Sequence, residues 1–347
     1  MDWIDLRSDT VTLPTPEMRQ AMANADLGDD VLGEDPTVNR LEALMAGRLG
    51  KQAGLFVPSG TMGNLIAVLT HCGRGDEVIL GNLSHTFLYE AGGMAALGGV
   101  HPYTVPNQPD GTLQLNDVVS AIRPDNPHFP ISRLICLENT HNRCGGVPLT
   151  SDYTRQVGDL ARQYSLKLHL DGARIFNAAI ALGISAAELA EPADSVMVCL
   201  SKALCAPVGS VLCGDDDFIR RARRVRKQLG GGMRQAGVIA AAGIVALEKM
   251  VDRLIEDHQR ARSLADRLRT IPGLILETEK PATNMVYLQL EENAPVDALE
   301  LVQVCSKKGI KLSTIGPRRM RLVVHYWIND QAIDTVVGVF KQAFKNE

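Results

Sequence analysis

Long apolar runs are absent from this chain. None approaches the roughly 20 residues that a membrane-spanning helix needs, so no membrane partner is expected. Paired cysteines are absent as well. The seven present (Cys72, Cys136, Cys144, Cys199, Cys205, Cys213 and Cys305) are odd in number and scattered, and none makes a Cys-x-x-Cys unit. Neither a disulfide framework nor a zinc site is suggested, no metal is expected, and reduced thiols suit a cytoplasmic enzyme. Neither sign of charge is in large excess: the formal net charge of −4 argues against general binding to nucleic acid or an anionic membrane. Met1-Asp2-Trp3-Ile4-Asp5 has no basic residue and no apolar stretch after it, so no secretory leader is expected. A P-loop and a G-x-G-x-x-G are both missing, which removes the usual signatures of nucleotide binding.

What is there is the composition of a globular protein. The 347 residues, 45% hydrophobic and 22% charged, leave room for a large core and two domains. From about residue 54, short apolar runs alternate with helical patterns. The candidate strands are Gly54–Val57, Glu77–Leu80, Val100–Val105, Arg133–Glu138, Leu166–Leu170, Val196–Leu200 and Ser210–Cys213. Between them lie helical stretches such as Asn64–His71, His85–Leu97 and Ser151–Tyr164. This alternation predicts an α/β fold with a mostly parallel seven-stranded sheet, covered on both faces. The loop Cys205–Gly209 is too short for a parallel crossover, so the last strand should be antiparallel to its predecessor.

A long helical pattern runs from about Ala236 to Leu268, with Leu247, Met250, Val251, Leu254, Ile255, Ala261, Leu264 and Leu268 along one stripe. Ile271-Pro272-Gly273 stops it. A mixture of strands and helices follows. The expected division is a large domain over 1–245 and a smaller C-terminal α+β domain over 246–347.

Two strand ends carry charge. Leu166-Lys167-Leu168-His169-Leu170 runs into Asp171, and Ser195–Ser201 runs into Lys202. Open parallel sheets bind ligands at the carboxyl ends of their strands. A lysine for a Schiff base and a carboxylate for a ring nitrogen are what pyridoxal phosphate requires. Lys202 is the sole charged residue between Ser195 and Gly214, and a desolvated amine suits Schiff-base chemistry.

Pro58-Ser59-Gly60-Thr61-Met62-Gly63-Asn64 joins a strand to a helix and offers a phosphate cup at the helix N-terminus. By itself it reads as a capped helix; beside Asp171 and Lys202 it reads as a phosphate site. Asp171 could simply pair with Arg174, and Arg174 could instead clamp a carboxylate. His85 could stack on a planar ring or merely begin a helix. His128, in a proline-rich loop, reads alone as a surface residue. The basic run Arg220–Lys227 has an apolar stripe of Phe218, Ala222, Val225 and Leu229, so its charges form a solvated or subunit-facing side. Gly230-Gly231-Gly232-Met233-Arg234 then reads as a flexible loop ending in a cation.

Taken together, several segments resemble the L-threonine aldolases. They are Asp5–Thr12, Gly28–Val31, Glu34–Thr37, Glu138–Asn142, Leu170–Asn177, Leu200–Lys202 and Gly230–Gln235. The resemblance covers nearly the whole chain. It implies a pyridoxal 5'-phosphate enzyme of fold type I, the aspartate-aminotransferase fold, that cleaves a small β-hydroxy amino acid by a retro-aldol reaction. The implied roles are Lys202 as Schiff-base lysine, Asp171 at the ring nitrogen, His85 on the ring face, and Gly60 and Thr61 at the phosphate. Ser8, Arg174 and Arg321 would bind the substrate carboxylate, Arg174 also lying near the cofactor. His128 would be a second active-site histidine. Lys227 and Arg234 would be basic residues near the cofactor at a subunit interface of a homotetramer, a dimer of dimers. The catalytic base stays open between His85, His128 and water. Two positions depart from the family pattern: Leu32 stands where many relatives have tyrosine, and Ala203-Leu204-Cys205 where Gly-Leu-Gly is common. A β-eliminating lyase is the nearest alternative, and a non-catalytic cofactor-binding protein a more distant one.

Overall fold

The computed structural model describes residues 3–345; Met1 and Asp2, on which the expectation about a secretory leader partly rested, lie outside the described residues. The chain divides into two compact units. One is Pro14–Val251, and the other joins the chain up to Leu13 with the stretch from Asp252 onward. The strand β1 (Ile4–Asp5) explains the second grouping, because it pairs in parallel with a strand late in the sequence, Ile310–Lys311. The first residues therefore leave the large domain to which composition assigned them.

The larger unit is built on β2 (Ala53–Val57), β3 (Glu77–Gly81), β4 (His101–Val105), β5 (Ser132–Glu138), β6 (Lys167–Asp171), β7 (Ser195–Cys199) and β8 (Ser210–Gly214). They form one seven-stranded sheet in the order β2-β8-β7-β6-β5-β3-β4. All neighbours are parallel except β8, which is antiparallel to both β7 and β2. Two reversals leave β2 running with β7. Hence the carboxyl ends of β2, β3, β5, β6 and β7 all open on one edge. β3, β7 and β8 are buried along their whole length, as central strands covered on both faces must be, whereas edge strand β4 is buried only at Val105.

The helix Gly60–His71 lies across one face. It shares one apolar cluster with Leu55, Val57, Met197 and Leu212, and another with Val78, Leu80, Leu134 and Cys136. Its approach is close. A Cβ on Gly60 would stand 2.7 Å from Cys199 Sγ, and one on Gly63 2.6 Å from Met197 Cγ. Both glycines are thus demanded by contact with β7, a reason distinct from ligand approach.

Two helical expectations change. His85–Leu97 is not one helix but two short ones, His85–Leu88 and Gly93–Ala96. Ala91 and Gly92 between them take left-handed backbone, φ 53° and 66°, which no α-helix continues through. The pattern from Ala236 to Leu268 also breaks. Gly237–Val245 widens into a π-helical turn at Ala246–Met250, and Leu254–Leu268 begins anew. The apolar stripe reads through that break because each side buries a face in its own unit. Leu247 O accepts from Arg48 of the larger unit, whereas Ala261, Leu264 and Leu268 belong to the smaller unit's core.

The smaller unit holds β9 (Leu274–Leu276), β10 (Met285–Leu290), β11 (Ile310–Lys311), β12 (Thr314–Gly316) and β13 (Arg319–Val323). Its antiparallel sheet has the order β12-β13-β10-β9. Leu288, Leu322 and Val286 pack there against Leu264, Leu268, Leu301, Val336 and Phe340 of its helices. No helix among the described residues is long and apolar enough to cross a membrane.

Candidate active site at the carboxyl edge of the large sheet

Asp171 ends β6 level with Met197 of the adjacent parallel strand β7, and Lys202 follows the end of β7, so both groups lie at the carboxyl edge. Asp171 is 2% exposed. Its Oδ1 accepts from Ala173 N at 3.1 Å, and its Oδ2 accepts from Asn64 Nδ2 at 2.9 Å. A buried carboxylate so held is a ready partner for a protonated ring nitrogen. Lys202 is half-buried, in a turn closed by Cys205 N donating to Lys202 O at 2.9 Å.

That turn accounts for one of the two family departures. Cys205 sits at φ 65°, in the left-handed region where glycine is unstrained. Its thiol is fully buried and turned to Ala203 O at 3.6 Å, back toward the chain.

His85 follows β3 at the same edge. Its backbone N–H donates to Glu138 Oε2 at 2.7 Å, and its Nδ1 lies 2.9 Å from Glu90 Oε1. Glu90 Oε1 also accepts from Asn64 Nδ2 at 2.8 Å. One amide thus spans both carboxylates. Asn64 Oδ1 in turn faces His169 Nε2 at 3.1 Å, and His169 Nδ1 faces Ser195 Oγ at 2.8 Å. Because a carbonyl oxygen only accepts, His169 is protonated on Nε2 and accepts from Ser195 at Nδ1.

The charges follow from this packing. Burial lowers the pKa of His169 to about 4, against a smaller opposing pull from Asp171, so the ring is neutral. Burial also raises Glu90, and Asp171 beside it adds to the rise, although the bond to His85 opposes both. For His85 burial works against the charged form, but the bond to Glu90 and the charge of Asp171 outweigh it and its pKa ends raised. Both partners of this pair therefore hold on to a proton to higher pH than usual.

At β2 the same edge presents Ser59, whose hydroxyl caps the Gly60–His71 helix by accepting from Met62 N at 3.2 Å. Gly60 and Thr61 stand in the first turn, where backbone N–H groups and the dipole favour an anion. Arg174 is buried just beyond Asp171. A carboxylate for a ring nitrogen, a lysine on the neighbouring strand and a helix N-terminus for phosphate are the donor set of pyridoxal phosphate, and these residues fit it. The ligand atoms of His85, Glu90 and Asp171 also lie within 4.8 Å of one another, a spacing that a metal could share. Asn64 Nδ2 already donates to both of these carboxylates.

The other expected residues divide. In the smaller unit Ser8 caps the short helix Asp9–Val11 and accepts from Thr10 Oγ1 at 2.9 Å. Arg321 on β13 donates to Arg7 O at 3.2 Å, which brings it beside Ser8. Lys227 lines a concavity with Leu32, Asp30, Arg223 and Gly232, while Arg234 pairs with Asp29 at 2.8 Å.

His128 is not brought to this cluster. Its loop enters the starting end of β5, and Arg123 of the same loop pairs with Glu77 at the starting end of β3, 3.1 Å away. His128 is exposed at the amino edge of the sheet, opposite Asp171 and Lys202. Loops that enter parallel strands lie there, whereas loops that leave them build the site.

Glu90, Asn64, His169 and Glu138 were missed by sequence reasoning. His169 had a signal: it lies two residues before Asp171, and on a strand such positions share a face. Asn64 and Glu138 stood inside quoted motifs without a role assigned to them, and Glu90 had no signal.

The β-eliminating lyase family profile matches residues 5–291. A low-specificity L-threonine aldolase of Arabidopsis thaliana is 49% identical over 343 residues, 98% of this chain and 96% of that protein. The low specificity L-threonine aldolase of Escherichia coli K12 is 48% identical over 292 residues, 84% of this chain and 86% of that protein. Among solved structures, a threonine aldolase of Leishmania major shares the fold with a TM-score of 0.85 at 22% identity, covering 99% of this chain and 100% of that one. On these matches and this geometry, the chain belongs to the β-eliminating lyase family, within its L-threonine aldolase branch.

Proposed function

We propose that this protein is a pyridoxal-phosphate-dependent aldolase that cleaves L-threonine, L-allo-threonine or both to glycine and acetaldehyde. The observation that carries the reading is the meeting of Asp171, Lys202 and His85 at one sheet edge, in a chain 49% identical to a low-specificity L-threonine aldolase.

Pyridoxal phosphate, when bound, supplies an electron sink for the pair freed as the Cα–Cβ bond breaks. Lys202 would hold it covalently and yield to the substrate amine. Asp171 would keep its ring nitrogen protonated, His85 would pack on its face, and Gly60 and Thr61 would hold its phosphate. Ser8, Arg174 and Arg321 would grip the substrate carboxylate and so choose which Cα bond is weakened. A base takes the β-hydroxyl proton, acetaldehyde leaves, and Cα regains a proton to give glycine.

The position of His128 at the amino edge supports its serving another copy of the chain rather than its own. Together with Lys227 and Arg234 it fits a homotetramer, a dimer of dimers, acting in the cytoplasm on small amino acids.

The test is aldehyde release from L-threonine and L-allo-threonine, with Lys202→Ala as control. Aldehyde that disappears in the variant supports the reading. The family profile is named for β-elimination; ammonia and a keto acid in place of aldehyde would move the assignment there.

A further inference from the structure

We infer that Glu90 is a positioning residue of this site, one that fixes the His85 ring and keeps a proton on its Nδ1. The inference rests on the aldolase reading and extends it to a residue outside the implied set. Glu90 Oε1 stands 2.9 Å from His85 Nδ1 and is buried, 7% exposed. It is itself held: Asn64 Nδ2 reaches it at 2.8 Å, and the same amide is braced by Asp171 Oδ2 at 2.9 Å and His169 Nε2 at 3.1 Å. The backbone is arranged for the contact. Residues five apart do not share a face of an α-helix, and Glu90 reaches back to His85 because the helix ends at Leu88 and the backbone leaves helical geometry at Tyr89, φ −123°.

With Nδ1–H given to the carboxylate, the imidazole lone pair lies on Nε2, the nitrogen away from Glu90. Such a carboxylate–imidazole pair sets both the tautomer and the basicity of the outward nitrogen.

Other groups face the pair from each packed element. Asp171 comes from β6, and Lys202 from the turn after β7 opposes protonation of His85. From β5, Glu138 accepts the His85 backbone N–H, and the buried Cys136 thiol, its pKa pushed well up, adds no charge. Without the Glu90 charge, burial and Lys202 would be opposed at His85 by Asp171 alone. The histidine pKa must then fall.

The experiment uses the holoenzymes of wild type, Glu90→Gln and Glu90→Asp. Histidine ring nitrogens are titrated by NMR, with His85→Asn identifying the signal, and kcat and KM are followed against pH alongside cofactor absorbance. In Glu90→Gln the His85 midpoint should move down by about one pH unit or more. The acid limb of kcat/KM should move down with it. At the plateau kcat should fall at least tenfold (~10- to 100-fold), with KM within about threefold and cofactor absorbance kept. Glu90→Asp keeps the charge and should return the midpoint toward wild type. An unmoved His85 midpoint in Glu90→Gln overturns the inference. So does activity lost only in step with bound cofactor, which would make Glu90 a support of the pocket. The NMR arm needs no turnover, so a failure of the aldolase reading in wild type shows separately.

Discussion

The two edges of the large sheet each carry a histidine–glutamate pair, and they differ in what stands behind the glutamate. At the amino edge His101 Nδ1 lies 2.9 Å from Glu77 Oε2. Glu77, fully buried, also takes Arg123 Nε at 3.1 Å and Ser132 Oγ at 3.2 Å. Arg123 is stacked 4.5 Å from the Tyr103 ring centre and 5.6 Å from that of Phe129. At the carboxyl edge His85 makes the same 2.9 Å contact with Glu90, but the next charge is Asp171, another carboxylate. A buried anion matched by a guanidinium is settled and serves the fold. A buried anion set against a second anion is left responsive to whatever cation arrives. The comparison separates a structural pair from a functional one with identical chemistry in the pair itself.

The widest test of that separation is Lys202→Ala. It should lower aldehyde release by about a thousandfold or more and abolish the absorbance of lysine-bound cofactor, with the thermal midpoint of the apoprotein nearly unchanged. A variant that kept wild-type turnover would remove the carboxyl edge as the site of chemistry.

Arg123→Ala probes the other edge. It strands the buried Glu77 carboxylate and should cost about 3 kcal/mol in denaturant unfolding, while the absorbance of cofactor bound at Lys202 stays as in wild type. Loss of that absorbance without loss of stability would break the comparison.

Acid should weaken the larger unit through two further histidines, His169 fully buried and His71 partly so. Burial lowers His71 to about 3 and His169 to about 4. Both are depressed below the unfolded value near 6.5, so unfolded chains bind protons that the folded protein refuses. The stability they contribute is full above about pH 6.5 and is lost as pH falls toward the folded values, on the order of 3 kcal/mol for His169. Unfolding midpoints in urea at pH 7 and pH 4.5 measure it. His71→Gln should flatten the dependence, and an equally steep fall in that variant would remove His71 as a cause.

The smallest expected effect is Gly60→Ala. Its Cβ would meet Cys199 Sγ at 2.7 Å and should cost about 1–2 kcal/mol. Adding Cys199→Ala should recover part of that, as measured by urea midpoints. No recovery would mean that the glycine answers to something other than contact with β7.

Much of the larger unit was legible because its strands are buried on both faces and bounded by turn residues. All seven expected strands overlap β2–β8, and the short Cys205–Gly209 loop correctly required an antiparallel turn. Asp171 and Lys202 were legible as charges ending apolar runs. The Ala236–Leu268 pattern misled because helical periodicity records that a face is buried, not which core buries it. The placement of the first residues was not legible because β1 pairs with β11, far away in sequence. His128 was read from resemblance alone, and resemblance carries no information about which sheet edge a loop occupies in its own chain.

By itself the sequence determined the strand–helix alternation, the charges at the ends of β6 and β7, and the family to which they belong, because periodicity, turn residues and motif spacing are local. The tertiary structure alone decided what stands next to those charges. Asn64, Glu90 and the β6 pair His169 and Asp171 come from three separate stretches of chain. Glu90 meets His85 because the helix between them ends at Leu88 and the backbone turns at Tyr89, and a side chain's partners and protonation depend on distances that sequence order does not contain.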